Sequence, residues 1–191
     1  MNFLQLKINN KTKNKFNGFT LVETLVGISI LLMAVVAPLV LITSNITAVF
    51  SVKDKITALY LAEDAVDYVK YKIDTNFNKG DTNWLAGIDP WCINGNSCEV
   101  DSYNDTVGLY TGTVLKFNSN TTSPTSGVYG YTSSWQDSKF RRIVTVANAS
   151  QDPNPNTPLP DEVIITATIL WQDHGVDKQT TISEHAFAWG I

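Results

Sequence analysis

Glu23 stands two residues ahead of an eighteen-residue run, Leu25 to Ile42, whose only hydroxyl is Ser29 and which holds no charge. A carboxylate at a bilayer centre costs on the order of 2.5 to 3.5 kcal/mol on insertion scales, so an acid at the start of such a run calls for a cationic partner. The alternative is an interfacial Glu23 that merely reaches the headgroup layer. Cys92 and Cys98 flank a short polar turn-prone stretch. They are expected either as a disulfide, which implies an oxidising compartment, or as free thiols. A zinc site is not expected, because two thiolates fall short of its usual four ligands and no histidine lies nearby. Of the two histidines, His174 reads as a turn residue and His185 as a satisfied strand position. Asp152, Asn154, Asn156, Asp161 and Glu162 offer oxygens of the kind calcium prefers, but the interleaved prolines make this stretch a solvated loop. No glycine-rich phosphate loop is present, and Ser and Asp are too common for a catalytic triad to be read without geometry. Neither catalysis nor a cofactor is expected.

These residues must be positioned by few elements. At 191 residues the chain suits one compact domain plus its terminal segments. Its net charge of −4 hides an asymmetry: residues 1–18 hold Lys7, Lys11, Lys13 and Lys15 and no acid. The remainder sets ten basic against eighteen acidic side chains, a balance of −8. An acidic body offers no basic footprint for nucleic-acid phosphates, apart from a local patch near Arg141 and Arg142. The apolar run is long enough to span a bilayer, and no charge occurs between Glu23 and Lys53. Four lysines before it and the mixed Lys53, Asp54, Lys55 cluster after it predict a cytoplasmic leader and an acidic body outside.

A cleaved secretory signal should have an apolar core of about 7 to 15 residues followed by small residues. This run is longer, and its best small-residue candidate, Ala37, is followed by Pro38. A plain anchor accounts for the run but not for Glu23. The stretch Gly18, Phe19, Thr20, Leu21, Val22, Glu23 resembles the Gly, Phe, Thr, Leu, Ile/Val, Glu signature of type IV prepilins and type II secretion pseudopilins.

That resemblance implies that a prepilin peptidase cuts between Gly18 and Phe19 on the cytoplasmic side, methylates Phe19, and leaves the apolar helix attached. It also implies that Glu23 pairs with the amino terminus of a neighbouring subunit, and that the helix loosens near Pro38 in filaments. The residue types have independent reasons. Gly18 lacks a Cβ, so its backbone can enter a narrow active site in an extended geometry. Phe19 gives the new terminus an apolar body suited to the interface, and Thr20 can bond nearby backbone groups. An anion and a cation in a low-dielectric bundle fix axial register, because a slip strands both. Pro38 removes a helical hydrogen bond and predicts a kink, which an ordinary transmembrane helix also tolerates.

The helix is expected to continue beyond the membrane, since Ile56, Leu59, Ala62, Val66, Val69, Ile73 and Phe77 recur every three or four residues among charged ones. It should end between Asn76 and Asp81. Residues 81–105, 118–138 and 151–161 read as surface loops. Strands are predicted over 107–117, 140–147, 163–171 and 179–189, the last two forming an antiparallel hairpin through 172–177. The expected fold class is α+β: one long amino-terminal helix, membrane-spanning in its first half and amphipathic in its second, packed on a small antiparallel sheet. Leu170, Trp171, Gln172, Asp173 and Gly175 also resemble the Trp-x-Asp-x-Gly pattern of minor pilins and I-type or V-type pseudopilins.

The expected organisation is a basic leader over 1–18, a transmembrane and filament-core helix over 19–50, and an extracytoplasmic domain over 51–191. The expected role is that of a minor pilin or pseudopilin, with the prepilin peptidase, other subunits, an inner-membrane assembly platform and membrane lipid as partners. The alternatives are a membrane-tethered binding domain that never enters a filament and a secreted enzyme released by signal peptidase.

Overall fold

The computed structural model describes residues 18–149 and 160–188. The leader before Gly18, the proline-rich stretch with Asp152, Asn154 and Asn156, and Trp189 lie outside the described residues. The chain divides into two compact units, Met1–Ala48 and Val49–Ile191. One helix, α1 (Leu21–Lys79), passes through both. It has 59 residues. It stops where the sequence demands. Gly80 takes the left-handed conformation at φ 71°, its N–H donates to the Phe77 carbonyl and that of Asp81 to Asn76. This double closure satisfies the helix's last carbonyls.

The core lies between the second half of α1 and a sheet. The buried stripe of the helix is Ala58, Leu61, Ala62, Ala65, Val66, Val69 and Ile73, which differs from the predicted one at its start. Ile56 and Leu59 are 48% and 39% exposed. Small Ala58 and Ala65 occupy the covered face, so apolar periodicity alone picks the larger neighbours and misses which side the sheet approaches.

Among the described residues eight strands follow the helix: β1 (Cys98–Asp101), β2 (Thr106–Leu109), β3 (Lys116–Phe117), β4 (Tyr129–Gly130), β5 (Gln136–Asp137), β6 (Arg141–Asn148), β7 (Glu162–Asp173) and β8 (Val176–Phe187). The main sheet runs β2-β1-β6-β7-β8 and a small one β4-β3-β5, with antiparallel pairing throughout. Val163, Ile165, Ala167, Ile169 and Trp171 alternate into the core from β7, the period-2 pattern of a sheet with one covered face. The predicted hairpin forms, with Asp173 opposite Val176. His174 and Gly175 have φ of 51° and 78°, the two positive angles of a type I′ turn. The architecture is α+β.

Two predicted loops carry structure. Residues 81–105 hold β1 and a short helix, α2 (Pro90–Ile93), and bury Trp84, Leu85 and Ile88. Their polar residues serve the backbone: the buried Asn76 amide donates to the carbonyls of Trp84 and Ala86 at 3.0 and 2.9 Å, and Asp89 caps α2. Residues 118–138 contain β4 and β5, tied in by buried Asp101. Its carboxylate accepts from the Tyr103, Asn104 and Tyr131 amides. Gly130 is needed there, because a Cβ would stand 3.0 Å from Asp101 Oδ1 and 3.2 Å from the Trp135 ring. The predicted strand over 107–117 is two separate pieces, β2 and β3, in different sheets.

Cys92 and Cys98 are joined, with Cα atoms 5.7 Å apart and both residues inaccessible. A loop this short limits the entropic stabilisation to about 2 kcal/mol. The Cys92→Ser, Cys98→Ser double variant is expected to lose about that much stability in a denaturant titration. An equal midpoint would mean that the bridge contributes nothing.

Electrostatics tie the helix to the sheet at several points. Arg142 is fully buried, and its guanidinium donates to the Asp64 carboxylate at 2.6 Å and to the Leu61 and Val100 carbonyls. The expected nucleic-acid patch therefore loses Arg142, whose charge is already committed to the interior. Its partner Asp64 lies on the helix with its side chain 44% exposed. Elsewhere Tyr68 donates to Asp105, which also pairs with Lys72 at 2.9 Å. The Tyr68 bond and then Lys72 hold the Asp105 carboxyl below its ordinary 3.8. Ser51 and then His174 do the same for Asp173. A lowered folded value stabilises the fold above the ordinary carboxylate range, and this contribution is lost as pH falls through the lowered value. The melting temperature is expected to decline below about pH 4. Tyr68→Phe should make that decline shallower, and an unchanged slope would remove Asp105 from the account.

Candidate functional site

The segment from Gly18 to Leu39 has no packing of its own. Every described residue in it is exposed, and Leu21–Leu39 is apolar and long enough to cross a membrane, with none of it buried. A helix that is hydrophobic all round requires lipid or other helices around it. Its hydroxyls are compatible with that setting. Thr24 and Ser29 each donate to a carbonyl one turn back, at 2.8 Å, so neither presents an unpaired polar group to hydrocarbon.

Thr20 begins the helix. Its Oγ1 accepts from the Glu23 amide at 3.2 Å, and its carbonyl accepts the first helical bond from Thr24. Thr20 is thus the N-cap and Glu23 the third helical residue, the Thr-x-x-Glu spacing of a capping box. The expectation that Thr20 bonds nearby backbone did not foresee a cap, although the spacing is readable in the chain. The acid lies in the first turn, where the helix's exposed amides favour negative charge. Among the described residues no cation pairs with the Glu23 side chain.

Gly18 lies before the cap, with nothing within 4 Å of where a Cβ would stand. No contact inside the described chain requires glycine here. Phe19 is 77% exposed. Pro38 lies inside α1 without ending it, and having no N–H it leaves the Ala34 carbonyl without its helical donor.

The other candidate groups lie in the body. His174 is at the hairpin turn, with Nδ1 2.6 Å from Asp173. His185, on the outermost strand β8, pairs with Glu162 at 2.5 Å. Among the described residues no group of three or more His, Cys, Asp or Glu is arranged to hold a metal.

Residues 13–37 match the family model described as the prokaryotic N-terminal methylation motif. This motif is the signature of type IV pilins and pseudopilins, and it covers 25 of the chain's 191 residues. The match falls on the uncovered segment and does not reach the body. No curated protein and no solved structure matches the chain.

Proposed function

We propose that this chain is a structural subunit, a minor pilin or pseudopilin, of a type IV pilus or type II secretion-like filament. The observation that carries the reading is the methylation motif at residues 13–37 overlapping the start of a helix whose apolar span, Leu21–Leu39, is entirely uncovered. In this reading the prepilin peptidase cuts between Gly18 and Phe19 and methylates Phe19. The remaining helix holds the chain in the inner membrane with its body outside. An assembly platform then extracts it and stacks it against other subunits.

Support extends past the membrane-spanning part. Val52, Ile56, Leu59 and Tyr60 keep an exposed apolar stripe on α1, opposite to the side that covers the core, and a patch of this kind fits packing against further helices. Glu23, whose carboxylate meets no cation among the described residues, then has a use: the amine of a neighbouring Phe19 sets the axial step. Glu23→Ala is expected to be cleaved normally but to enter filaments at least tenfold less, as read by immunoblot of sheared filaments. Undiminished incorporation would remove the pairing role.

The deciding measurement is the amino terminus of the protein from cells with active processing machinery. A methylated Phe19 is expected. An intact leader would favour a membrane-tethered binding domain, and a soluble product starting well beyond Ala37 would favour a secreted protein.

A further inference from the structure

Charge is unevenly distributed over residues 49–191, and the unevenness follows the fold. Lys53 and Lys55 lie where α1 enters this unit. Asp54 between them pairs with Lys139, Ser51 hydrogen-bonds Asp173 at the β7–β8 turn, and Lys116 pairs with Asp137. Lys139, Arg141, Trp171 and Lys178 line one open cleft. Six cations are therefore gathered around the point where the chain enters the body, against Asp54, Asp137, Asp173 and Asp177. The rest of residues 49–191 holds four cations and thirteen acids. Two of the four local acids are neutralised by Lys139 and Lys116. Lys53, Lys55, Arg141 and Lys178 are exposed and form no ion pair among the described residues.

A body with ten cations against seventeen acids, a balance of −7, that collects its free cations at one end has a preferred face for anions. This end is also the one tied to the apolar helix by an uncharged stretch. A span that starts near Glu23 uses about 20 residues to cross the hydrocarbon. Ten more reach Lys53, about 15 Å of helix, of which the headgroup layer occupies about 5 to 7 Å. The remaining gap is comparable with the Debye length of about 8 Å, and Lys and Arg side chains shorten it further.

We infer that the cationic base of the body, centred on Lys53, Lys55, Arg141 and Lys178, docks on anionic phospholipid headgroups while the helix is in the membrane. The inference rests on the membrane-anchored reading above. Docking holds the body against the bilayer before assembly, and extraction must break it. It also gives a use to four cations that form no ion pair among the described residues of a chain with an excess of acids.

The test uses the full chain in nanodiscs of phosphatidylcholine alone or with about one third phosphatidylglycerol, each carrying a headgroup spin label. Paramagnetic broadening of the backbone amides of residues 173–178 is the readout. At least twofold stronger broadening is expected in the phosphatidylglycerol discs, reversed by 0.5 M salt, which shortens the screening length about twofold. The Arg141→Gln, Lys178→Gln variant should lose it. Equal broadening in the two compositions overturns the inference. So does a response of the same amides to duplex DNA in phosphatidylcholine discs that exceeds their response to anionic lipid. A chain-embedded spin label separately reports residues 25–42. If these are not broadened in either disc, it is the membrane reading that fails.

Discussion

Gly18→Val is expected to arrest the protein at its full length, 18 residues longer than the processed chain, with the lysine leader still attached. Space inside the chain is no obstacle, since the position borders open solvent, so folding and stability of the body should be unchanged. The effect falls on the enzyme that must accommodate the backbone. A β-branched side chain restricts the residue at the scissile bond and fills the room a narrow membrane-embedded active site needs for the chain to extend. Mass spectrometry of the membrane fraction should show loss of processing by at least tenfold, together with loss of the methylated Phe19 terminus. Gly18→Ala should retain partial processing. Normal cleavage of the Val variant would mean that the glycine is not read at all, and the proposed function would lose its first step.

Asp64→Ala is expected to destabilise the body by about 2 to 3 kcal/mol, more than Arg142→Met does. Arg142 is inaccessible, whereas the Asp64 side chain is 44% exposed. Removing the carboxylate leaves a buried guanidinium with only carbonyl oxygens for company. Breaking a buried pair in this way typically costs about 3 to 5 kcal/mol, and water's access to Asp64 sets the lower figure here. Replacing Arg142 by an apolar chain of similar length removes the charge that needs compensation, and Asp64 can turn to solvent. The double variant should therefore recover most of the Asp64→Ala loss. Urea titrations of the four proteins measure this; additive losses would show that the two side chains act independently.

What the sequence disclosed about the amino-terminal segment follows from its simplicity. An uninterrupted apolar run and a glycine, threonine and glutamate at fixed offsets are local signals, and a local signal needs no partner to be legible. The β7–β8 hairpin was legible for the same reason, since two β-rich runs joined by His174 and Gly175 prescribe their own turn. The body's interior was not, because burial there is a property of pairs. Arg142 looks like half of a surface patch until Asp64, 78 residues earlier, is seen opposite. Asn76 and Asp101 look like loop formers because their types favour turns, yet each uses that chemistry to fix backbone that is partly or wholly covered. The misplaced start of the helix stripe has a similar origin. Ala58 and Ala65 carry little hydrophobic signal but permit the closest approach of the sheet.

The two margins of the main sheet are unequal: β2 contributes four residues and β8 twelve, and among the described residues no strand pairs with the outer side of β8. Such a row of backbone donors and acceptors is a template on which identical chains can stack into aggregates. Here charge acts as gatekeeper. Glu184 is held to Lys70 across the gap to the helix at 2.5 Å, and Lys178 and His185 put further polarity on the same strand. Resistance of residues 49–191 to stacking thus depends on a handful of ionic side chains along one ribbon, and apolar replacements there would turn this margin into a fibre seed.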